Sequence, residues 1–535
     1  MARATATGIL IVSAGKLADG TVATARPIQK GASSRRRRPT MSDTVVVTRS
    51  GPVRGRTAAG VRTFLGIPYA APPVGPQRFR KPAPHTPWSE VRDATVPGAT
   101  APQNTPPPLK ALDTEALMGV GWLRGDDYLT VNVWAPEGET AALPVMVFIH
   151  GGSFTAGSNT VPVYDGSSFA RDGVVCMAIN YRMGVDGFLP IPGVPTNLGL
   201  RDMIAALEWI RDNAPAFGGD PANVTVFGES AGAMAIADLI ASPLCKGLFR
   251  RAIVQSGHAS MTRSIAVTER VTRKLAKMLR IPATIDGFNS VTPEQTLVAE
   301  KKVQLPTSGL DLRDEAGREP VYGLSRFAPV HGDDVLPLPP LQAIAEGAGA
   351  EVDLMIGTNL EEMNIYVVPI GAQKWVGSML ATYVLGKFIP RSKDILKAYG
   401  LGRKGRKPGQ VLTEALSDLV FRLPARACAA AHQGRTHLYE FNWTSPAFDG
   451  QLGACHALEI PFVFDTLACV TGPKGFVGPN PPQAVADYVH KVWIDFARDG
   501  GAPWPEYDPR TRQVHALDTG VTATDAPMPA APFWP

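Results

Sequence analysis

Short apolar runs alternate along the chain with segments in which apolar side chains recur every three or four positions. Residues 129–134 read as a strand, and residues 144–149 and 174–181 are continuous apolar runs of the kind buried on both faces of a sheet. Between residues 200 and 210, Leu200, Ile204, Leu207 and Ile210 recur with Met203 beside them, which is the spacing of a helix with one buried stripe. Residues 223–227 predict the next strand and residues 231–242, rich in Ala, Ile and Leu, the next helix. Residues 252–254, 352–356 and 438–443 are further candidate strands. Residues 484–498 predict a helix that turns Val485, Val489, Val492 and Phe496 inward.

Strand, helix, strand, helix in this order argues for an α/β protein with a central, mainly parallel sheet flanked by helices on both faces. Residues 44–48 form the first strand-like run, and the Pro-rich residues 68–87 read as an extended surface segment. Residues 260–350 are less regular and richer in polar residues and Pro, so cap-like insertions are expected there. No internal repeat divides the chain, and residues 41–535 are expected to form one domain.

With 44% apolar and 19% charged residues, a chain of 535 residues has an ordinary globular composition and can bury a large core. The formal charge of +5 changes that picture little, because residues 1–40 hold eight Lys or Arg against one acidic residue. The remainder is close to neutral, which gives no general electrostatic reason to bind nucleic acid or an anionic membrane. The leader has no adequate secretory core, and its Arg35 to Arg38 run is not followed by an apolar one, so a disordered tail is expected. Met41, just ahead of the first strand-like run, is a candidate start, with the leader a translated upstream stretch. The five cysteines form no CxxC pair and are expected to be mostly buried thiols, and no apolar stretch is long enough for a membrane helix.

The strongest local signal is Gly228-Glu229-Ser230-Ala231-Gly232, the only GxSxG in the chain, set between a predicted strand and a predicted helix. A serine nucleophile on such an elbow needs glycines two residues to either side so that strand and helix can approach, and it stands exposed above the sheet. Oxyanion donors are the second requirement. His150-Gly151-Gly152-Ser153-Phe154, directly after a buried strand, is close to the HGGG-type loop, with Gly152 and Ser153 as donors alongside Ala231 of the elbow. His150 itself reads as structural.

The general base and its carboxylate partner follow the serine in chain order in hydrolases of this kind. Seven histidines lie downstream, and His456 sits in a loop after a predicted strand, where an imidazole could reach the catalytic edge. Glu361 and Glu362 follow the strand at residues 352–356, and periodicity alone does not say which of them points inward.

At this point the chain resembles the type-B carboxylesterase and lipase family, which includes bacterial para-nitrobenzyl esterases and cholinesterases. The likeness runs in order through Gly51-Pro52-Val53-Arg54-Gly55, Phe64-Leu65-Gly66-Ile67-Pro68-Tyr69-Ala70 and Asp127 to Val133. It continues through Asn180-Tyr181-Arg182 and Asn197-Leu198-Gly199-Leu200-Arg201-Asp202, and ends near Trp493 to Arg498. The resemblance implies an α/β-hydrolase fold, a triad of Ser230, Glu362 and His456, and an oxyanion hole from Gly152, Ser153 and Ala231. It also implies Glu229 as an auxiliary buried acid, and hydrolysis of hydrophobic small-molecule esters without metal or cofactor.

Three departures stand out. Tyr128 replaces a cysteine common in the family, and the family's usual disulfide pairs are missing, which favours a reducing compartment, the cytoplasm. Ser153 replaces the commoner third glycine or alanine, and Met363 stands where glycine often follows the acid. Amide, carbamate or lactone hydrolysis would use the same machinery. A recognition module that has lost catalysis is the contrasting reading, set against the presence of all three triad residues.

Overall fold

The computed structural model describes residues 42–105, 111–138 and 142–534. The expected tail at residues 1–40 and the candidate start at Met41 lie outside the described residues. The strands are β1 (Ser42–Thr48), β2 (Gly51–Ala58), β3 (Val61–Pro68), β4 (Arg92–Asp93), β5 (Thr130–Pro136), β6 (Leu143–Ile149), β7 (Val175–Ile179) and β8 (Gly219–Glu229). They continue with β9 (Arg251–Gln255), β10 (Arg263–Ser264), β11 (Val330–His331), β12 (Asp353–Asn359), β13 (Thr436–Phe441), β14 (Gln513–Ala516) and β15 (Val521–Thr524).

Thirteen of these strands form one sheet in the order β1-β2-β3-β5-β7-β6-β8-β9-β12-β13-β14-β15, with β4 beside β2. The stretch from β7 through β14 is parallel, and the outer strands pair antiparallel except β4, which lies parallel to β2. This is the doubly covered parallel sheet expected from the alternation of runs.

Successive side chains of β6 point to opposite faces, and the core divides accordingly. Val145, Val147 and Ile149 lie in a cluster with the helices Leu198–Asn213 and Ala231–Ala241. Met146 and Phe148 lie in a second cluster with Trp493 and Phe496 of the helix Gln483–Asp499. There Phe148 packs against Phe227 and Phe464, with ring centroids 5.0 Å away in each case.

Two of the quoted motifs meet in a buried ion pair. Arg182 Nε and Nη2 bond Asp202 Oδ2 and Oδ1 at 2.7 and 2.6 Å, tying the loop after β7 to the helix Leu198–Asn213. This fork matches a carboxylate in geometry as well as charge.

Two expectations are corrected. Residues 260–350 are more regular than their composition suggests: they hold the helices Ile265–Leu279, Pro293–Val303 and Pro340–Ala345 and the small parallel pair β10 and β11. In the first helix Val267, Val271 and Leu275 form a buried stripe at a spacing of four. The Pro-rich residues 68–87 are not wholly superficial either. Arg78 is buried and donates to Asp186, to the Phe288 carbonyl and to the Val291 carbonyl, which pins the segment to the insertion.

A further insertion follows β12. It contains the helices Ser378–Leu385, Ser392–Ala398, Pro408–Ser417 and Leu423–Ala431, with a π-helical turn at Asp418–Arg422 between the last two.

Candidate active site

Strand order reverses between β6 and β8, and in open α/β sheets the crevice outside the carboxyl ends at such a reversal is where ligands bind. Ile149 lies opposite Gly228, and Glu229 opposite Gln255, so the segments leaving β6, β8 and β9 emerge side by side.

Ser230 follows β8 with φ 56 and ψ −125, a conformation that L-residues rarely adopt, and the helix Ala231–Ala241 starts immediately after it. The strain is held in place from both sides. Ser230 N donates to the Gln255 carbonyl at 3.0 Å, and the Ser230 carbonyl accepts from Met234 N at 2.9 Å. Gly232 allows the close approach: a Cβ there would stand 2.0 Å from the Ile149 carbonyl oxygen. Ser230 is partly exposed where its neighbours on both sides are buried. Ala231 supplies the first amide of its helix, where an N–H has no acceptor within the helix.

The loop after β6 turns back through three consecutive residues of positive φ: Gly152 at 112, Ser153 at 56 and Phe154 at 59. The Gly152 carbonyl accepts from Thr155 N and Ala156 N, and Gly184 N donates to the Phe154 carbonyl at 2.7 Å. A Cβ on Gly151 would lie 2.9 Å from a Glu229 carboxylate oxygen and 3.1 Å from Ser230 Cβ, so the loop lies directly against the elbow.

Glu362 lies just beyond the end of β12 and is completely buried. Its Oε2 is 2.7 Å from His456 Nδ1, while Oε1 accepts from Ser256 Oγ at 2.7 Å and Asn359 N at 2.8 Å. His456 N also donates to the Glu362 carbonyl. Glu361 points elsewhere and accepts from Ala454 N. The other downstream histidines are held away from this site. His258, His331, His432, His490 and His515 bond other groups, and His437 lies between Phe496 and Trp504.

The second nitrogen of His456 faces Glu229, with Nε2 3.0 Å from Oε1, and neither atom has a hydrogen bond among the described residues. Burial away from water pushes Glu229 up to about 8, which the His456 charge only partly offsets. For His456, burial alone would lower the imidazole, but the charges of Glu229 and Glu362 and the bond to Glu362 overcome it and raise the ring to about 9. The ring packs against Phe421 of the π-helical turn, with centroids 4.6 Å apart, and is flanked by Tyr366 at 5.8 Å. His150 is buried and stacked on Tyr181, and burial lowers it to about 4, as befits a structural residue.

Behind this first layer lies a network that pattern reading did not reveal. Glu459 accepts from Gln255 Nε2 and from Asn359 Nδ2, and Asn359 Nδ2 also donates to the Cys455 carbonyl. Trp493 Nε1 donates to Gln255 Oε1, so one apolar core is tied to the loop carrying His456. Burial, followed by the charge of Glu362, raises the Glu459 carboxyl. Ser256 and Gln255 were discoverable by one signal, since they stand at the carboxyl end of the strand next to the elbow strand.

Residues 42–531 match the model of the carboxylesterase family. The chain is similar to the para-nitrobenzyl esterase of Bacillus subtilis (strain 168), at 36% identity over 503 residues covering 91% of this chain and 97% of that one. It is similar to the phenmedipham hydrolase of Pseudarthrobacter oxydans at 33% identity, covering 85% of this chain and 89% of that one. The solved structure of a PNB esterase superposes with a TM-score of 0.74 at 35% identity, covering 90% of this chain and 97% of that one. The chain therefore belongs to the carboxylesterase family and is a serine carboxylic-ester hydrolase with the α/β-hydrolase fold.

Proposed function

We propose that Ser230 is the nucleophile, His456 the general base and acid, and Glu362 the carboxylate that orients it. The supporting observation is a strained serine whose chain neighbour Glu229 lies 3.0 Å from Nε2 of an imidazole that is bonded through Nδ1 to a buried carboxylate at 2.7 Å. Ser230 Oγ attacks the ester carbonyl carbon as His456 Nε2 takes its proton. The C–O bond to the alcohol then breaks, and the departing oxygen receives that proton. Water, deprotonated by the same nitrogen, attacks the acyl-enzyme and releases the acid. The amides of Gly152, Ser153 and Ala231 stabilise the oxyanion, each by on the order of 3 kcal/mol. Glu362 fixes the tautomer in which Nδ1 carries the proton, leaving Nε2 to act as base.

Para-nitrobenzyl ester cleavage, carried by the name of the Bacillus relative, supports hydrophobic aryl or alkyl esters as the substrate class. Residues 41–535 act as one domain on this reading, supported by a single sheet that takes strands from both ends of the described chain. Free thiols at all five cysteines support a reducing location such as the cytoplasm.

The test is hydrolysis of para-nitrophenyl esters of increasing acyl length by the wild-type chain and by Ser230→Ala. The expected result is turnover by the wild type and a loss of roughly 10⁴-fold or more in the variant. Equal turnover by both would remove Ser230 from the mechanism.

A further inference from the structure

The insertion after Glu362 carries an apolar surface of its own. Trp375 is 84% exposed, Met379 88%, Tyr383 50% and Ile370 40%. Met379 and Tyr383 stand four apart on the helix Ser378–Leu385, and Trp375 ends the short turn Ala372–Trp375 just before it. The helix Ser378–Leu385, with the sequence SMLATYVL, has no charged residue on any face. Ala381 and Leu385 turn inward, while Met379 and Tyr383 remain open. Met379 and Tyr383, one turn apart, give this helix an exposed apolar face, and such a face marks an interaction surface.

The stripe continues into positive charge. Lys387 Nζ lies 4.6 Å from the centroid of the Tyr383 ring. Residues 387–407 hold eight Lys or Arg against the single acid Asp394, whereas the rest of the chain outside residues 1–40 holds 37 Lys or Arg against 46 Asp or Glu, so positive charge is concentrated here. Arg391 pairs with Asp394 and Arg406 with Glu414, but Lys387, Lys393, Lys397, Arg403, Lys404 and Lys407 are exposed and have no acidic partner among the described residues. Stripe and basic segment belong to one body: Ser392 Oγ donates to the Thr382 carbonyl, and Gln373 Nε2 donates to Thr413 Oγ1 of the helix Pro408–Ser417. That body adjoins the site, because Tyr366, at its start, flanks His456.

We propose that this lobe seats the enzyme on an anionic lipid surface, with Trp375, Met379 and Tyr383 entering the headgroup layer and the lysines on its rim meeting lipid phosphates. An interfacial aromatic beside an apolar stripe, rimmed by Lys and Arg, is the combination that binds such surfaces. A nucleic acid would satisfy the charge but leave the apolar stripe uncovered. A second copy of the chain would cover the stripe but bring two positive rims together. Averaging charge over the whole chain conceals this local excess.

The experiment sediments the full chain with vesicles of phosphatidylcholine alone and with vesicles of equal parts phosphatidylcholine and phosphatidylglycerol. Binding is expected to the anionic vesicles only, weakening as salt is raised. Trp375→Ser with Met379→Ser is expected to weaken it roughly tenfold or more, and Lys393→Glu with Lys397→Glu to do at least the same. Both double variants should hydrolyse a soluble para-nitrophenyl ester at the wild-type rate, which shows that they are folded and separates this surface from the chemistry. The proposal is overturned by any of three results: failure of the wild type to bind anionic vesicles, unchanged binding by the Trp375/Met379 variant, or variants that alter only self-association.

Discussion

Two carboxylates approach the same imidazole from opposite sides, and their settings differ. Glu362, on the Nδ1 side, is bonded by His456, Ser256 and the Asn359 amide, so donors stand ready for its negative charge. Glu229, on the Nε2 side, is also buried, but its Oε1 has no hydrogen bond among the described residues and burial pushes it up to about 8. The first arrangement fixes an orientation. The second places a buried carboxyl against Nε2, so on the proposed mechanism one acid orients the base and the other bears on the pH at which it is free.

The largest effect should come from the Glu362 side. Glu362→Gln keeps the volume but removes the charge that fixes the tautomer, and kcat for a para-nitrophenyl ester is expected to fall roughly 10³- to 10⁴-fold. A loss below about tenfold would mean that Glu362 does not orient the base.

Glu229→Gln acts differently. The proposed mechanism requires neutral His456, and the Glu229 charge is among the causes that raise the ring to about 9. Removing it lowers the imidazole, so the rising limb of the kcat/KM profile against pH should move to lower pH. A limb that stays in place would show that Glu229 does not face the working nitrogen.

The smallest effect lies outside the site. Glu300 is buried behind residues 184–188, accepts from Val185 N, and is pushed by burial from the ordinary 4.5 up to about 8. Between those values the unfolded chain has released this proton while the folded chain retains it, so stability falls as pH rises. Unfolding in urea at pH 5 and pH 8 should show stability falling further in the wild type than in Glu300→Gln, the difference being on the order of 3 kcal/mol. Equal slopes would contradict it.

The sheet and the motif-bearing residues were legible because their signals are local. Continuous apolar runs at residues 144–149 and 174–181 became β6 and β7, and the turns after β6 and β8 fell where the glycines of both motifs predicted. Ser256 and Glu459 were not legible in this way. Their partners are neighbours in sheet order, and no spacing along the chain brings Ser256 to Glu362, 106 residues away. The helix Ser378–Leu385 escaped because SMLATYVL is short, uncharged and mostly apolar, with too weak a period to detect. The choice between Glu361 and Glu362 rested on family resemblance. In the structure Glu362 contacts His456 and Glu361 bonds Ala454 N.

Ser230 as the activated nucleophile is tested by treating the folded chain with a fluorophosphonate and measuring intact mass and the modified peptide. One adduct per chain is expected, on the peptide containing Ser230, with loss of esterase activity in proportion to labelling. A folded, active enzyme that takes up no adduct, or is labelled at another residue while activity is lost, would contradict it.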